Sequence, residues 1–125
     1  MSRRAVLAAV TDVVAILLFV ALGRGSHDEG GNVVTGTLKV AAPFLIALAI
    51  GWLVSRAWIS PTSPVPTGIV IWLVTIVGGM LLRHFAFDRG TAMPFIIVAS
   101  VFTLLFLVGW RLLWEWWSGR RAGTP

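Results

Sequence analysis

Asp12 is the residue whose type and place most suggest chemistry, because it is the one acid inside an apolar run of the chain. Counted from Arg4 at 1.5 Å per residue, it lies about 12 Å along a helix, well below a headgroup layer. An ionised carboxylate at such depth costs about 2.5–3.5 kcal/mol on insertion scales, so it must be neutralised, paired or wetted. Its helical neighbours Ala8, Ala9, Ala15 and Ile16 are mostly small. A small-residue face lets another helix approach closely and points Asp12 towards protein. Two readings follow. The first is a structural pair with Arg56 or Arg111, both placed by the topology below on the same side of the membrane. The second is a proton or cation site.

Arg83, His84 and Arg89 form a second group beside the start of the last apolar run. A helix N-terminus carries free N–H groups and partial positive charge, so this outer basic corner suits an anion. The plainer reading is that these side chains meet lipid phosphates or Asp88, as basic residues at span ends commonly do. The adjacent His27, Asp28 and Glu29 do not make a metal site, since three consecutive side chains cannot converge on one ion without a special loop. No phosphate-cradling glycine loop, nucleophile elbow or zinc-helix motif is present. The chain lacks cysteine, which excludes disulfides and thiolate chemistry. No cofactor and no enzymatic activity are expected. The most distinctive stretch runs from Trp110 to Trp117. There Trp110, Trp114, Trp116 and Trp117 are expected to anchor in the headgroup layer, with Arg120 and Arg121 attracting anionic lipid.

The elements that hold these residues are read from hydropathy. The sequence is 58% hydrophobic and 12% charged, against about 45–50% and 25% in soluble domains. Its net charge of +5 comes from ten basic residues scattered between apolar runs. No stripe follows a phosphate backbone, so the expected counter-charge is anionic lipid and not nucleic acid. Four apolar runs, about 5–22, 38–54, 65–82 and 93–113, each approach the 17–25 residues that cross a bilayer as helix. Unpaired backbone amides are too costly in lipid for open strands. The expected fold is all-α: a single four-helix transmembrane domain, residues 1–125, built as two helical hairpins.

The connections carry their own signals. Residues 23–37 hold five glycines and form a flexible loop. The run Ser60-Pro61-Thr62-Ser63-Pro64 reads as an extended, polyproline-like tie. Thr91 is an N-cap for span four, with Pro94 in its first turn. Gly78-Gly79 allows tight packing on span three. Both hairpins carry Arg, His, Asp and Gly in their outer loops, a likeness taken as coincidence. With four spans, one side holds Arg3, Arg4, Arg56, Arg111, Arg120 and Arg121, and the other Arg24, Lys39, Arg83 and Arg89. Positive charge marks the cytoplasmic side, so both termini are expected inside the cell membrane. Cleavage of span one as a signal peptide is disfavoured, because Asp12 interrupts a run longer than a typical signal core.

Thr11-Asp12 in span one, Gly90-Thr91 before span four, and Phe102 through Trp110-Arg111 at its end carry a resemblance. On these motifs the chain resembles a family of small four-span membrane proteins from bacteria and archaea, catalogued as a domain of unknown function. The resemblance implies a four-helix membrane fold and supplies no activity. Small multidrug transporters place a Glu in span one, but this chain has no tyrosine and lacks their surrounding pattern. Fluoride channels of similar length carry glycine-rich and phenylalanine signatures that are missing here. The expected function is that of a structural or accessory membrane subunit, as a homo-oligomer or within a larger complex. The alternative is a small ion-coupled transporter or channel using Asp12.

Overall fold

The computed structural model describes residues 2–26, 33–86 and 93–122. Among these the chain is helical and has no strand. Helix α1 spans Arg3–Ser26 and α2 spans Val33–Ser55. A wide turn, Pro64–Gly68, leads into α3, Ile69–Phe85. The last rod is α4, Met93–Thr103, then a π-helical segment, Leu104–Val108, then α5, Gly109–Ala122. Four of these rods are long and apolar enough to cross a membrane. Their outward faces carry Leu7, Leu53, Val77 and Leu105, all exposed in the isolated chain. Such faces are stable only in a lipid solvent. The protein is a multi-pass integral membrane protein.

Packing follows the small residues. The largest interface is α2 on α3, which lies between the two sequence hairpins. A Cβ at Gly79 would run into the ring of Phe44, and one at Gly51 would fall 3.3 Å from the backbone of Ile71. The close approach of the two helices therefore depends on those positions being glycine. Phe44 is fully buried and lies edge-on to Phe19 of α1, with centroids 6.3 Å apart, and 6.1 Å from Phe95 of α4. Trp72 of α3 donates its indole N–H to the Ser100 carbonyl of α4 at 2.9 Å. The four rods thus close around one core. Arg4 of α1 approaches the ring of Trp114 on α5, so both chain ends lie at the same end of the bundle.

The link between α2 and α3 is not the extended tie expected from its prolines. Helix α2 ends in a Schellman motif: the Ala57 N–H bonds the Trp52 carbonyl and the Arg56 N–H bonds that of Leu53. The left-handed residue in that motif is Arg56, at φ 52°. Two further turns follow, Ile59 to Arg56 and Ser63 to Ser60. Pro61 occupies the second position of the latter turn, which its fixed φ suits. Compact turns win because they satisfy backbone groups that a polyproline segment leaves to solvent.

The π-helical segment in the last rod has a geometric effect. Ala99, Thr103, Leu107 and Arg111 are all essentially buried. In an uninterrupted α-helix the twelve residue steps from 99 to 111 would drift about 120° around the axis. A wide turn absorbs about one extra residue, cutting the drift to about 20°. Arg111 is thereby brought onto the face that Ala99 and Thr103 present to the core.

Candidate functional site

The site is built from three rods and one turn. Helix α1 supplies Asp12, whose stripe neighbours Ala8, Ala15 and Ile16 are also buried. These small side chains let the last rod come close, and Arg111 reaches across. Its Nη1 lies 2.8 Å from Oδ1 of Asp12 and its Nη2 2.7 Å from Oδ2, a two-pronged pair in which both side chains are fully buried. Two indoles complete the carboxylate. Trp52 Nε1 donates to Oδ2 and Trp110 Nε1 to Oδ1, each at 2.8 Å. Four N–H groups thus meet the four acceptor positions that an ionised carboxylate offers. Parallel, charge-assisted bonds of this length are the strong kind.

The guanidinium is held as firmly. Its Nε donates to the Pro61 carbonyl at 2.9 Å and its Nη1 also to the Leu107 carbonyl at 2.8 Å. Its charged carbon lies 4.5 Å from the centre of the Trp110 ring, which adds a cation–π contact. Gly68 makes room for its stem: a Cβ there would lie 3.0 Å from Arg111 Cδ. One ion pair therefore ties α1, the end of α2, the Pro61 turn and the last rod together. A polar crevice lies on the side of the chain ends, lined by Arg4, Ser60, Thr62, Ser63, Trp114 and Glu115 among others, and includes neither Asp12 nor Arg111.

The sequence-derived candidates divide cleanly. Asp12 and Arg111 come together. Arg56 does not join them, since it is exposed at the end of α2, where the left-handed cap turns it away. Trp110 is half-buried and spends its N–H on Asp12, so it is part of the core cluster and not an interfacial anchor. Trp114, Trp116 and Trp117 are exposed. At the opposite end, Arg83 packs over the Phe95 ring at 4.2 Å and His84 lies edge-on to Phe85. Arg89, Thr91, Asp88 and the His27-Asp28-Glu29 run lie outside the described residues. No group of residues suited to a metal ion occurs among those described.

Trp52, the Pro61 carbonyl and Gly68 were not anticipated. A signal for Trp52 did exist. A buried indole N–H needs an acceptor, and Asp12 is the one acid inside the apolar runs of the sequence. The carbonyl and the glycine had no such signal, because a turn's backbone direction is not written in residue type.

No curated protein and no solved structure gives a significant match to this chain. The family described as "Protein of unknown function (DUF3054)" matches residues 9–114, a stretch that holds Asp12, Trp52, Trp110 and Arg111 together. The chain belongs to that family.

Proposed function

We propose that this protein is a structural or accessory membrane subunit, without catalytic activity, in which the Asp12–Arg111 pair is a clamp. The observation that carries the reading is the saturation of Asp12. Its two oxygens take four N–H donors at 2.7–2.8 Å, and its surface is fully buried. An ion-coupled carboxylate needs access for its ion, whereas a clamp needs the reverse. The nearby crevice stops short of the pair. Both termini are assigned to the cytoplasm. With Arg111 neutralised by Asp12, the basic residues at that end are Arg3, Arg4, Arg56, Arg120 and Arg121 against four at the other. Its surroundings are a bilayer containing anionic lipid, and its partners are further copies of itself or a larger membrane complex.

The test is purification from native membranes, with chemical cross-linking to retain partners, followed by reconstitution of the same preparation into liposomes. A discrete assembly should be recovered, and the liposomes should pass neither protons nor small cations above the empty-vesicle rate. A pH-dependent flux that Asp12→Asn abolishes and Asp12→Glu partly keeps would replace this reading with the transporter.

A further inference from the structure

The polar crevice at the end of the bundle holds both signs of charge in one place. Arg4 enters it from α1, Glu115 and Trp114 from α5, and Ser60, Thr62 and Ser63 from the turns between α2 and α3. Its volume is about 420 Å³, ample for a headgroup-sized ligand. Arg4 and Glu115 are both exposed, and neither makes a salt bridge among the described residues. Arg4 lies near the Trp114 ring, 6.0 Å from its centre. The crevice sits directly beneath the buried pair, since Glu115 is one turn beyond Arg111 and Arg4 two turns before Asp12. That depth is the headgroup layer, which the exposed indoles of Trp58, Trp114, Trp116 and Trp117 mark as well. The wall of hydroxyls is flanked along the chain by Ile59 and Val65, 63% and 69% exposed. A notch that sets charged and hydroxyl groups among apolar surface, edged by exposed apolar side chains, matches a molecule with a polar head and acyl tails.

The geometry points to a binding site for the zwitterionic headgroup of a phosphatidylethanolamine-type phospholipid. Arg4 and the hydroxyls of Ser60 and Thr62 receive the phosphate, for which a guanidinium and O–H donors are suited. Glu115 receives the ammonium group, whose N–H donors a carboxylate can accept, while the Trp114 ring stays against Arg4. A glycerol phosphate headgroup offers Glu115 hydroxyls but no positive charge, so its bond to the carboxylate is the weaker, neutral-donor kind. A choline headgroup keeps the charge but has no N–H to donate. Ser63 already donates its hydroxyl to the Val65 carbonyl at 2.6 Å, so it shapes the wall as an acceptor. A bound headgroup would brace the turn whose Pro61 carbonyl holds Arg111.

The test is native mass spectrometry of the full chain in nonionic detergent, titrated with dioleoyl phosphatidylethanolamine, phosphatidylglycerol, phosphatidylcholine or soluble glycerophosphoethanolamine. The ethanolamine lipid should bind about tenfold or more tightly than either other lipid, the value of one charge-assisted hydrogen bond. Arg4→Gln should weaken all three lipids alike. Glu115→Gln should erase the advantage over phosphatidylglycerol, and Glu115→Lys should reverse it. Both side chains are exposed, so the variants keep the bundle, as far-ultraviolet circular dichroism will record. Equal binding of phosphatidylglycerol by the wild type, or an ethanolamine preference that survives Glu115→Gln, overturns the proposal. Binding of the soluble compound as tightly as the lipid overturns the lipid assignment. None of these outcomes bears on the clamp, because neither Arg4 nor Glu115 takes part in the buried pair.

Discussion

Replacing Asp12 by asparagine keeps the size of the side chain and removes its charge, and the surrounding donors decide what that costs. Each carboxylate oxygen accepts from one Arg111 nitrogen and one indole. Whichever way the amide turns, its NH2 group faces two N–H donors, and a buried guanidinium loses its counter-charge. Removing one partner of a buried pair costs about 3–5 kcal/mol. Arg111→Met is the mirror case. The carboxylate keeps two indole bonds but no cation, and the Pro61 and Leu107 carbonyls lose a donor, again about 3–5 kcal/mol. Added together, the single changes predict about 6–10 kcal/mol. In the double variant no ion is buried. What remains is an unpaired Pro61 carbonyl and a mismatched amide, each costing about 1–3 kcal/mol. Mid-range values, about 8 kcal/mol for the sum and about 4 for the double variant, give a coupling of about 4 kcal/mol, above the upper end usual for residues in contact. Titration with sodium dodecyl sulfate in mixed micelles, followed by far-ultraviolet circular dichroism, measures all four corners of the cycle. Single variants that each lose less than about 1 kcal/mol, or a cycle additive within about 0.5 kcal/mol, would refute the clamp.

Gly68→Ala should cost about 1–3 kcal/mol in the same titration, because its methyl group presses on Arg111 Cδ at 3.0 Å. That loss should shrink in the Arg111→Met background, while the loss from Gly79→Ala, which meets Phe44, should not. Arg56→Gly should raise stability by up to about 1 kcal/mol, since glycine occupies the left-handed cap without the Cβ penalty, and Arg56→Val should lower it. No change for either would deny the Schellman ending of α2. Cysteines placed at Ser2 and Ser118 should be shielded from an impermeant thiol reagent in intact cells while one at Ser26 reacts. Labelling of both ends of the chain would invert the orientation.

The sequence by itself determined the number of crossings and the presence of a single buried acid. Bilayer thickness sets the length of apolar run that a helix must have, and four runs meet it. Carboxylates are rare at depth because they are costly there, so Asp12 stands out in one dimension. The small faces were legible for a related reason: Ala8, Ala15, Gly78 and Gly79 leave space that only another helix fills. Which basic residue meets Asp12 was not legible. Arg56 and Arg111 lie toward the same side of the membrane, and the choice depends on two rotations that no local pattern records. The left-handed cap at the end of α2 turns Arg56 outward. The wide turn at Leu104–Val108 rotates α5 so that Arg111 points inward. The indoles followed the same logic. Trp110 and Trp114 are one turn apart, yet Trp110 is drawn to the carboxylate and Trp114 is left exposed. Partners 99 residues apart in the chain are chosen by the angle and distance between packed helices, quantities that exist only once the bundle has closed.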